Sequence, residues 1–171
     1  MGWESGQMRR PLTLATVALA LTLSGATGLM SACGHSDVSA SDGRDSGRQE
    51  ANRQLVLNFY DQFFNKHEVQ RAAEVVTDDY RQHNPNVPDG KAPFVSYFAG
   101  FFAEHPGAAA KVVRSAVDGD LVYLHVRSTN DPQDRGQAVV DIFRVEGGKI
   151  VEHWDVIQDV PAESANGNTM F

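Results

Sequence analysis

Hydrophobic residues recur at helical spacing over the stretch from about residue 48 to residue 76. Two series with four-residue steps predict an amphipathic helix over roughly 48–65. The two series are Leu55, Phe59, Phe63 and Val56, Tyr60, Phe64. A second, shorter helix is predicted where apolar residues lie three and four apart, at Val69, Ala72, Ala73 and Val76. The polar residues at 77–79 predict the end of this second helix.

Prolines and a glycine interrupt the helical pattern between residues 80 and 90. This segment reads YRQHNPNVPDG, and its two prolines and one glycine predict an irregular loop. A third helix is predicted from about Lys91, because Pro93 is tolerated in the first turn of a helix. It carries a cluster of phenylalanines that is most simply core, formed by Phe94, Phe98, Phe101 and Phe102.

After residue 110 the pattern changes to that of β-strands joined by tight turns. Four strands are predicted, over 111–117, 121–127, 138–145 and 150–157. Asp118-Gly119 is a strong signal for a hairpin turn. Helices followed by an antiparallel meander predict an α+β fold. We expect a curved antiparallel sheet of about four strands packed on three N-terminal helices, with a cavity for a small ligand between the two layers.

The N-terminal residues 1–33 have the pattern of an export signal. Two arginines precede an apolar stretch at 11–30, and the small residues Ser31 and Ala32 lead into Cys33. A transmembrane anchor is the alternative, since the stretch is nearly long enough to span a bilayer. The lone cysteine directly after the stretch resembles a bacterial lipobox. We therefore expect an exported, outward-facing lipoprotein that is held to the cell membrane by acyl chains on Cys33.

Composition adds a tether and excludes some partners. Residues 34–47 contain no Leu, Ile, Phe or Tyr, so they are predicted to form a flexible tether before a single folded domain at 48–171. The whole chain has 15 basic and 22 acidic residues, a formal net charge of −7, which argues against nucleic-acid binding. Its single cysteine excludes an intramolecular disulfide.

Three segments between residues 50 and 171 together have a recognisable pattern, namely YRQHNPNVPDG, DGDLVYLHV and RGQAVVDIFRVEGGKIVEHWDVIQDVP. They resemble the SnoaL-like polyketide cyclase family, which belongs to the nuclear-transport-factor-2-like superfamily. Within that family they resemble the subgroup of predicted aldol-condensation-catalysing enzymes. The resemblance implies a cone-shaped, cystatin-like α+β fold, which ketosteroid isomerase and scytalone dehydratase also use. It also implies a homodimer, because sheets of this superfamily often pair face to face. Alternating strand residues left outside the cone, such as Val122 or Trp154, are expected to supply the apolar interface.

The resemblance also implies roles for individual residues. Asp141 matches the strand aspartate that is an acid–base group in the cyclases and a protonated oxyanion donor in the isomerase. His125 matches a pocket histidine of the cyclases, and Tyr60 stands where the isomerase has its oxyanion-hole tyrosine. Asn84 stands where the isomerase has its general-base aspartate. Because an amide cannot take a proton, the neighbouring His83 is the expected base.

The residue pattern itself leaves structural alternatives open. A carboxylate among apolar neighbours, such as Asp141, is costly unless it is paired, hydrogen-bonded or protonated, but it could also face solvent on an edge strand. His83 could simply fix its loop, and the face that carries His125 is equally compatible with the exterior of the sheet. On the last strand, His153 and Asp155 share one face, and a one-residue change of register decides whether that face or the face of Trp154 lines the cavity.

Two hypotheses for function follow. The first is an enzyme without a cofactor that enolises, condenses or cyclises a small carbonyl compound by acid–base chemistry. The second is a cell-surface module that binds a small hydrophobic ligand. A metal site that combines His153 and Asp155 with His83 and His125 is chemically possible, but the resemblance does not suggest one, so no metal is predicted. The expected catalytic residues are Asp141, His83, His125 and His153, and the expected substrate contacts are Tyr60, Asn84, Phe143, Trp154 and Asp155.

Overall fold

The computed structural model describes residues 38–171 of the chain, with side chains from residue 45 onward. The predicted export signal at 1–33, with Cys33, lies outside the described residues. In the part that is described, none of the helices combines the length and the apolar composition that crossing a membrane requires.

Three helices precede or flank the sheet. Helix α1 spans Val38–Tyr60 and continues in a π-helical turn at Asp61–Asn65. Helix α2 is short, at Val69–Ala72, and is followed by a 3₁₀ turn at Ala73–Val75, whereas α3 spans Lys91–Glu104. Helix α1 begins inside the segment that its composition predicts to be a tether. Ion pairs one turn apart support this polar first half, at Asp45–Arg48 and Glu50–Arg53.

The sheet contains the four predicted strands and one more. Strands β2 to β5 span Ala109–Asp118, Leu121–Thr129, Gln137–Glu146 and Lys149–Asp159. They form an antiparallel meander, and the order across the sheet is β1-β5-β4-β3-β2. The α+β prediction is confirmed, with the sheet packed on one side against the helices.

The additional strand, β1 at Val76–Gln82, corrects the prediction of about four strands and of a loop that starts at residue 80. It pairs in parallel with β5, so the sheet is mixed rather than wholly antiparallel. Its polar residues hide the strand pattern, because only Val76 and Tyr80 are buried in the core. Both lie on the helix side of the sheet, and the acidic residues between them are exposed.

The two faces of the sheet differ in what covers them. On the inner face, Phe143 packs against Phe59 of α1 with ring centroids 5.8 Å apart. Alternate residues of β3 are completely buried on this face, namely Val122, Leu124 and Val126. The residues between them lie on the outer face, because side chains alternate along a strand. This alternation decides which of the candidate residues can reach the cavity.

Candidate active site

A cavity of about 360 Å³ lies between the helices and the inner face of the sheet. Its apolar side comes from α3 and from the turn after α1, and consists mainly of Phe64, Phe94, Tyr97, Phe98, Phe101 and Phe102. Phe94 and Phe102 are also core residues, as the sequence predicts for this cluster. Tyr97 is 55% exposed and stands at the rim. The volume and the aromatic lining are typical of a site for a small apolar molecule.

Three buried polar residues of the cavity lining form a hydrogen-bonded chain. The Tyr60 hydroxyl donates to Asp141 Oδ2 over 2.7 Å. The other oxygen of the same carboxylate, Oδ1, lies 2.9 Å from His153 Nε2. Asp141 and His153 are each only 6% exposed. The carboxylate is therefore satisfied on both oxygens by groups from α1 and β5.

The strand register brings a second carboxylate to the same place. Asp141 of β4 pairs directly with Asp155 of β5, and His153 is opposite Phe143. His153 and Asp155 thus share the inner face, which answers the question that the sequence leaves open. Like charges directly opposite each other on a sheet are destabilising. The hydrogen-bond donors around the two carboxylates offset this repulsion.

Two polar side chains at the end of β1 extend the hydrogen-bonded chain. They belong to Gln82, the last residue of β1, and to Asn84. Gln82 Oε1 lies 2.9 Å from His153 Nδ1 and accepts the backbone N–H of Asn84 at 3.0 Å. The Asn84 side chain donates through Nδ2 to Asp155 Oδ2 over 2.6 Å. An unbroken hydrogen-bonded chain therefore runs from Tyr60 to Asp155. Asp155 Oδ1 has no hydrogen-bond partner among the described side chains and backbone groups.

The charges of the site act on the two buried tyrosines that line it. Burial raises the pKa of Tyr60 well above its ordinary value, and the charge of Asp141, the hydrogen bond to it and the charge of Asp155 add to the effect. Burial likewise raises the pKa of Tyr80, reinforced by the charges of Asp141 and Asp155. Both tyrosines are therefore neutral across the physiological range, and Tyr60 remains a hydrogen-bond donor.

One group of side chains in the described residues could hold a metal ion. Asp141, His153 and Asp155 each offer one ligand atom, and these atoms lie within 4.8 Å of one another. Carboxylate and imidazole donors suit several divalent cations. In the structure, however, Asp141 and His153 form a hydrogen bond with each other. A cation would have to displace the proton between Nε2 and Oδ1 and compete with this pairing.

His83, expected as a catalytic base, and Trp154, expected as a substrate contact, lie on the outer face and do not line the cavity, which corrects their placement. Their rings stack with centroids 4.6 Å apart and planes inclined by 8°. His83 Nε2 is 2.9 Å from Glu152 Oε1. The guanidinium carbon of Arg144 lies 5.5 Å from the centroid of the Trp154 ring. Because Gln82 and Asn84 point inward, the residue between them points outward. His83 is a structural residue of this outer cluster.

His125 is also outside the cavity, which corrects its placement as a pocket histidine. It lies on β3 between Leu124 and Val126, whose side chains are fully buried on the inner face. Arg114 donates to its Nδ1 over 2.6 Å, and the Phe171 ring lies 5.8 Å from it. The other candidates, Tyr60, Asn84, Phe143, Asp141, His153 and Asp155, all line the cavity.

Sequence reasoning misses Gln82, which contacts both His153 and Asn84. A glutamine in a proline-rich segment carries no chemical signal of its own. It becomes recognisable only when 76–82 is identified as a strand, because Tyr80 and Gln82 then share a face. The parallel pairing of Gln82 with His153 places the two side chains next to each other.

The SnoaL-like domain family matches residues 56–153, more than half of the chain. None of the curated proteins matches the sequence.

Solved structures with the same fold include a candidate ketosteroid isomerase from Kribbella flavida, at 20% identity and a TM-score of 0.57, covering 69% of this chain and 85% of that one. A SnoaL-like protein of unknown function from Burkholderia thailandensis has 15% identity and a TM-score of 0.56, covering 64% and 96%. TsrD from Streptomyces laurentii has 20% identity and a TM-score of 0.51, covering 64% and 89%. At these identities, the similarity concerns the fold.

Proposed function

This chain belongs to the SnoaL-like domain family, and we propose that it is an enzyme that transfers protons on a small apolar carbonyl compound by acid–base catalysis. The reaction class is enolisation, aldol-type condensation or cyclisation, without a cofactor. The observation that carries the proposal is the buried hydrogen-bonded chain Tyr60–Asp141–His153 in the lining of an aromatic cavity. The same lining contains Asp155, whose carboxylate has one oxygen without a hydrogen-bond partner among the described residues. Titratable groups forced together in a cleft are typical of catalytic sites.

Asp155 is the proposed proton acceptor. Asp155 lines the cavity; its Oδ2 accepts a hydrogen bond from Asn84, while its Oδ1 has no hydrogen-bond partner among the described residues. The resemblance to ketosteroid isomerase puts a general-base aspartate at Asn84, and in this chain Asp155 brings a carboxylate next to Asn84, from which it accepts a hydrogen bond. A base must lie within hydrogen-bond reach of the proton that it removes. Because Asp155 lines the cavity, its unpartnered Oδ1 is the oxygen that is available to come within this reach of an α-proton of a bound ligand.

The Asp141–His153 pair is the proposed proton donor. When Asp155 removes an α-proton, the electron pair of the C–H bond moves into the carbonyl group and creates an enolate oxygen. The pair then gives this oxygen the proton that it holds between Oδ1 and Nε2, which completes the enol. Tyr60 stabilises the carboxylate that remains, since its hydroxyl donates to Oδ2.

Proton exchange tests this proposal without knowledge of the natural substrate. Ketones and aldehydes with one or two rings, chosen to fit about 360 Å³, are incubated with the full chain in D₂O, and deuterium uptake at the α-carbon is followed by NMR. Asp155→Asn should slow uptake by about 10²–10⁴-fold, the usual contribution of an acid–base group. Glu152→Gln, on the outer face of the same strand, is the matched control and should retain the rate. Equal rates in Asp155→Asn and the wild type would refute the assignment.

A second candidate function is a non-catalytic module that binds a small hydrophobic ligand. Both oxygens of Asp141 and both ring nitrogens of His153 already have partners, so the pair can be a stable structural unit. In that case Asp155→Asn changes ligand affinity only modestly, and no compound in the panel exchanges its α-protons. Mass spectrometry of ligands that co-purify with the full chain distinguishes a bound apolar molecule from a reaction product.

Export and lipidation at Cys33 remain part of the proposal. They rest on the sequence of residues 1–33, which lies outside the described residues. Mass spectrometry of the membrane fraction should detect an acylated N-terminal Cys33. A soluble protein that starts at another residue would contradict this.

We also expect a homodimer formed through the outer face of the sheet. Val140 and Val156 are 39% and 69% exposed there and offer an apolar contact surface. Val122, which the alternation in the sequence assigns to the outer face, is completely buried inside and cannot contribute. Light scattering at micromolar concentration tests the dimer, and a monomer would contradict it.

A further inference from the structure

The orientation of the Gln82 amide is determined by its neighbour in the chain. Its Oε1 atom lies 3.0 Å from the backbone nitrogen of Asn84, and a backbone N–H can only donate. The atom at this position must therefore be the carbonyl oxygen of the amide and not its NH₂ group. The same logic fixes Asn84, whose Oδ1 accepts the backbone N–H of Asn86 over 2.9 Å.

This orientation determines one proton of His153. Its Nδ1 lies 2.9 Å from Gln82 Oε1, which is an acceptor. A hydrogen bond between the two atoms requires a proton on Nδ1. The other ring nitrogen, Nε2, lies 2.9 Å from Asp141 Oδ1, while Tyr60 donates to Oδ2. Two bare acceptors would repel each other at this distance, so a second proton lies between Nε2 and Oδ1.

We propose that Gln82 is a positioning residue that keeps His153 protonated on Nδ1, so that the Asp141–His153 pair always holds a second proton between Nε2 and Oδ1. Without the carbonyl of Gln82, a neutral imidazole would place its only proton on Nε2 and donate it to an ionised Asp141. The pair would then carry one proton fewer and would face Asp155 with a net negative charge. Gln82 therefore keeps the pair loaded as a proton donor.

The link between Gln82 and turnover rests on the proposed function, whereas the protonation of His153 does not. The two parts of the inference can therefore fail separately. A ligand-binding module with the same hydrogen bonds would have the same tautomer. Measurements on the full chain without any substrate test the first part.

The test is nitrogen-15 NMR of the full chain labelled in its histidine rings, with His153→Gln used to assign the signals. In the wild type, Nδ1 of His153 should carry a proton. Gln82→Met has a similar length and only a weakly accepting thioether in place of the carbonyl, and it should shift His153 to the form protonated on Nε2 alone. Gln82→Glu restores an acceptor and should restore the proton on Nδ1. The signals of His83 serve as an internal control, because its ring lies on the outer face.

A wild-type His153 that is protonated only on Nε2 overturns the inference, even if neither variant folds. An unchanged His153 spectrum in Gln82→Met, with circular dichroism like that of the wild type, also overturns it. If the protein catalyses α-proton exchange, Gln82→Met should lower its turnover by about 10²–10⁴-fold and Gln82→Glu should recover much of it. A purely structural role of Gln82 would lower stability in Gln82→Met and leave the tautomer of His153 unchanged.

Discussion

The two faces of β5 carry similar residues in different settings. His153 and Asp155 on the inner face join a hydrogen-bonded chain inside an aromatic cavity. Glu152 and Trp154 on the outer face join ion pairs and ring contacts with Arg144 and His83. Both faces therefore hold a histidine beside a carboxylate, at the same distance of 2.9 Å.

Burial is what separates the two histidine–carboxylate pairs. The side chains of His153 and Asp141 are 8% and 9% exposed, whereas those of His83 and Glu152 are 38% and 13% exposed. Water screens the outer pair, so it has a small effect on any neighbouring group. The inner pair acts in a medium of low polarity, where charges and hydrogen bonds have stronger effects. Residue type alone therefore cannot identify the reactive pair.

The largest contrast between the faces should come from Asp141→Asn. The substitution keeps the shape of the side chain and removes its proton chemistry, so turnover should fall by about 10²–10⁴-fold while the fold is retained. Asp120→Asn is the matched control, because Asp120 pairs with Arg144 outside the cavity. Deuterium uptake in the carbonyl panel measures both variants. Full activity of Asp141→Asn would rule out its acid–base role, and unfolding would identify Asp141 as a structural residue.

The next contrast concerns stability and uses neighbouring residues of β3. Leu124 is completely buried on the inner face, so Leu124→Ala should lower the free energy of unfolding by about 2–5 kcal/mol. His125→Ala, one residue along and on the outer face, should change it by about 0.5 kcal/mol or less. Urea unfolding followed by circular dichroism measures both values. Similar losses would contradict the assignment of the two faces.

The sequence predicts most of the fold, because period and turn chemistry are local signals. The strands β2 to β5 have β-branched residues and glycine turns, and the helices have regular apolar spacing. Strand β1 at Val76–Gln82 is missed, because its pairing with β5 is distant in the chain and its central residues are polar. A pairing between segments that are distant in the chain leaves no local sequence pattern from which it can be predicted.

The site is predictable in part for the same reason. Asp141 stands out as a carboxylate in an apolar run, and the alternation along β5 correctly groups His153 with Asp155. Which group faces inward depends on the register of the strand pairs, which the sequence leaves open. His83 and His125 suit acid–base chemistry by residue type, but alternation along β3 puts His125 outside, and His83, directly after β1, lies between two residues that point inward.

The buried tyrosines of the inner face should make the free energy of unfolding depend on pH in the alkaline range. The pKa of Tyr60 is raised in the folded protein, chiefly by burial and then by the charge of Asp141. Above the ordinary tyrosine pKa of about 10, the unfolded chain loses this proton and the folded chain keeps it. The contribution of these tyrosines to the free energy of unfolding should therefore be fully present below pH 10. Above pH 10 it should fall by about 1.4 kcal/mol per pH unit for each such tyrosine.

Tyr60→Phe should make this decline in the free energy of unfolding less steep by the contribution of one tyrosine. Tyr80 should contribute a comparable part of the slope, because its pKa is raised as well. Urea unfolding at a series of pH values between 9 and about 11 gives the slopes. An equal slope in the wild type and Tyr60→Phe would show that Tyr60 ionises alike in the folded and unfolded chain.

The smallest effect is expected from Glu152, the carboxylate of the outer pair. A hydrogen bond from Arg144 lowers its pKa most, a hydrogen bond from His83 lowers it further, and partial burial opposes both. Arg81 adds a more distant contact at 3.6 Å. The folded chain therefore holds the proton of Glu152 less tightly than the unfolded chain does. The resulting stability is present above the ordinary glutamate pKa of about 4.3 and is lost as pH falls through the lower folded value.

Glu152→Gln removes this acid dependence. At pH 6 the variant should be less stable than the wild type by about 0.2–1 kcal/mol, the usual contribution of a solvent-screened ion pair. The difference should shrink as pH falls through the lowered folded pKa of Glu152, because the wild-type glutamate then becomes protonated as well. Urea unfolding at a series of pH values from 6 downward tests this. A difference of several kcal/mol at pH 6 would mean that the outer pair is as shielded from water as the inner one, and the contrast between the two faces would not hold.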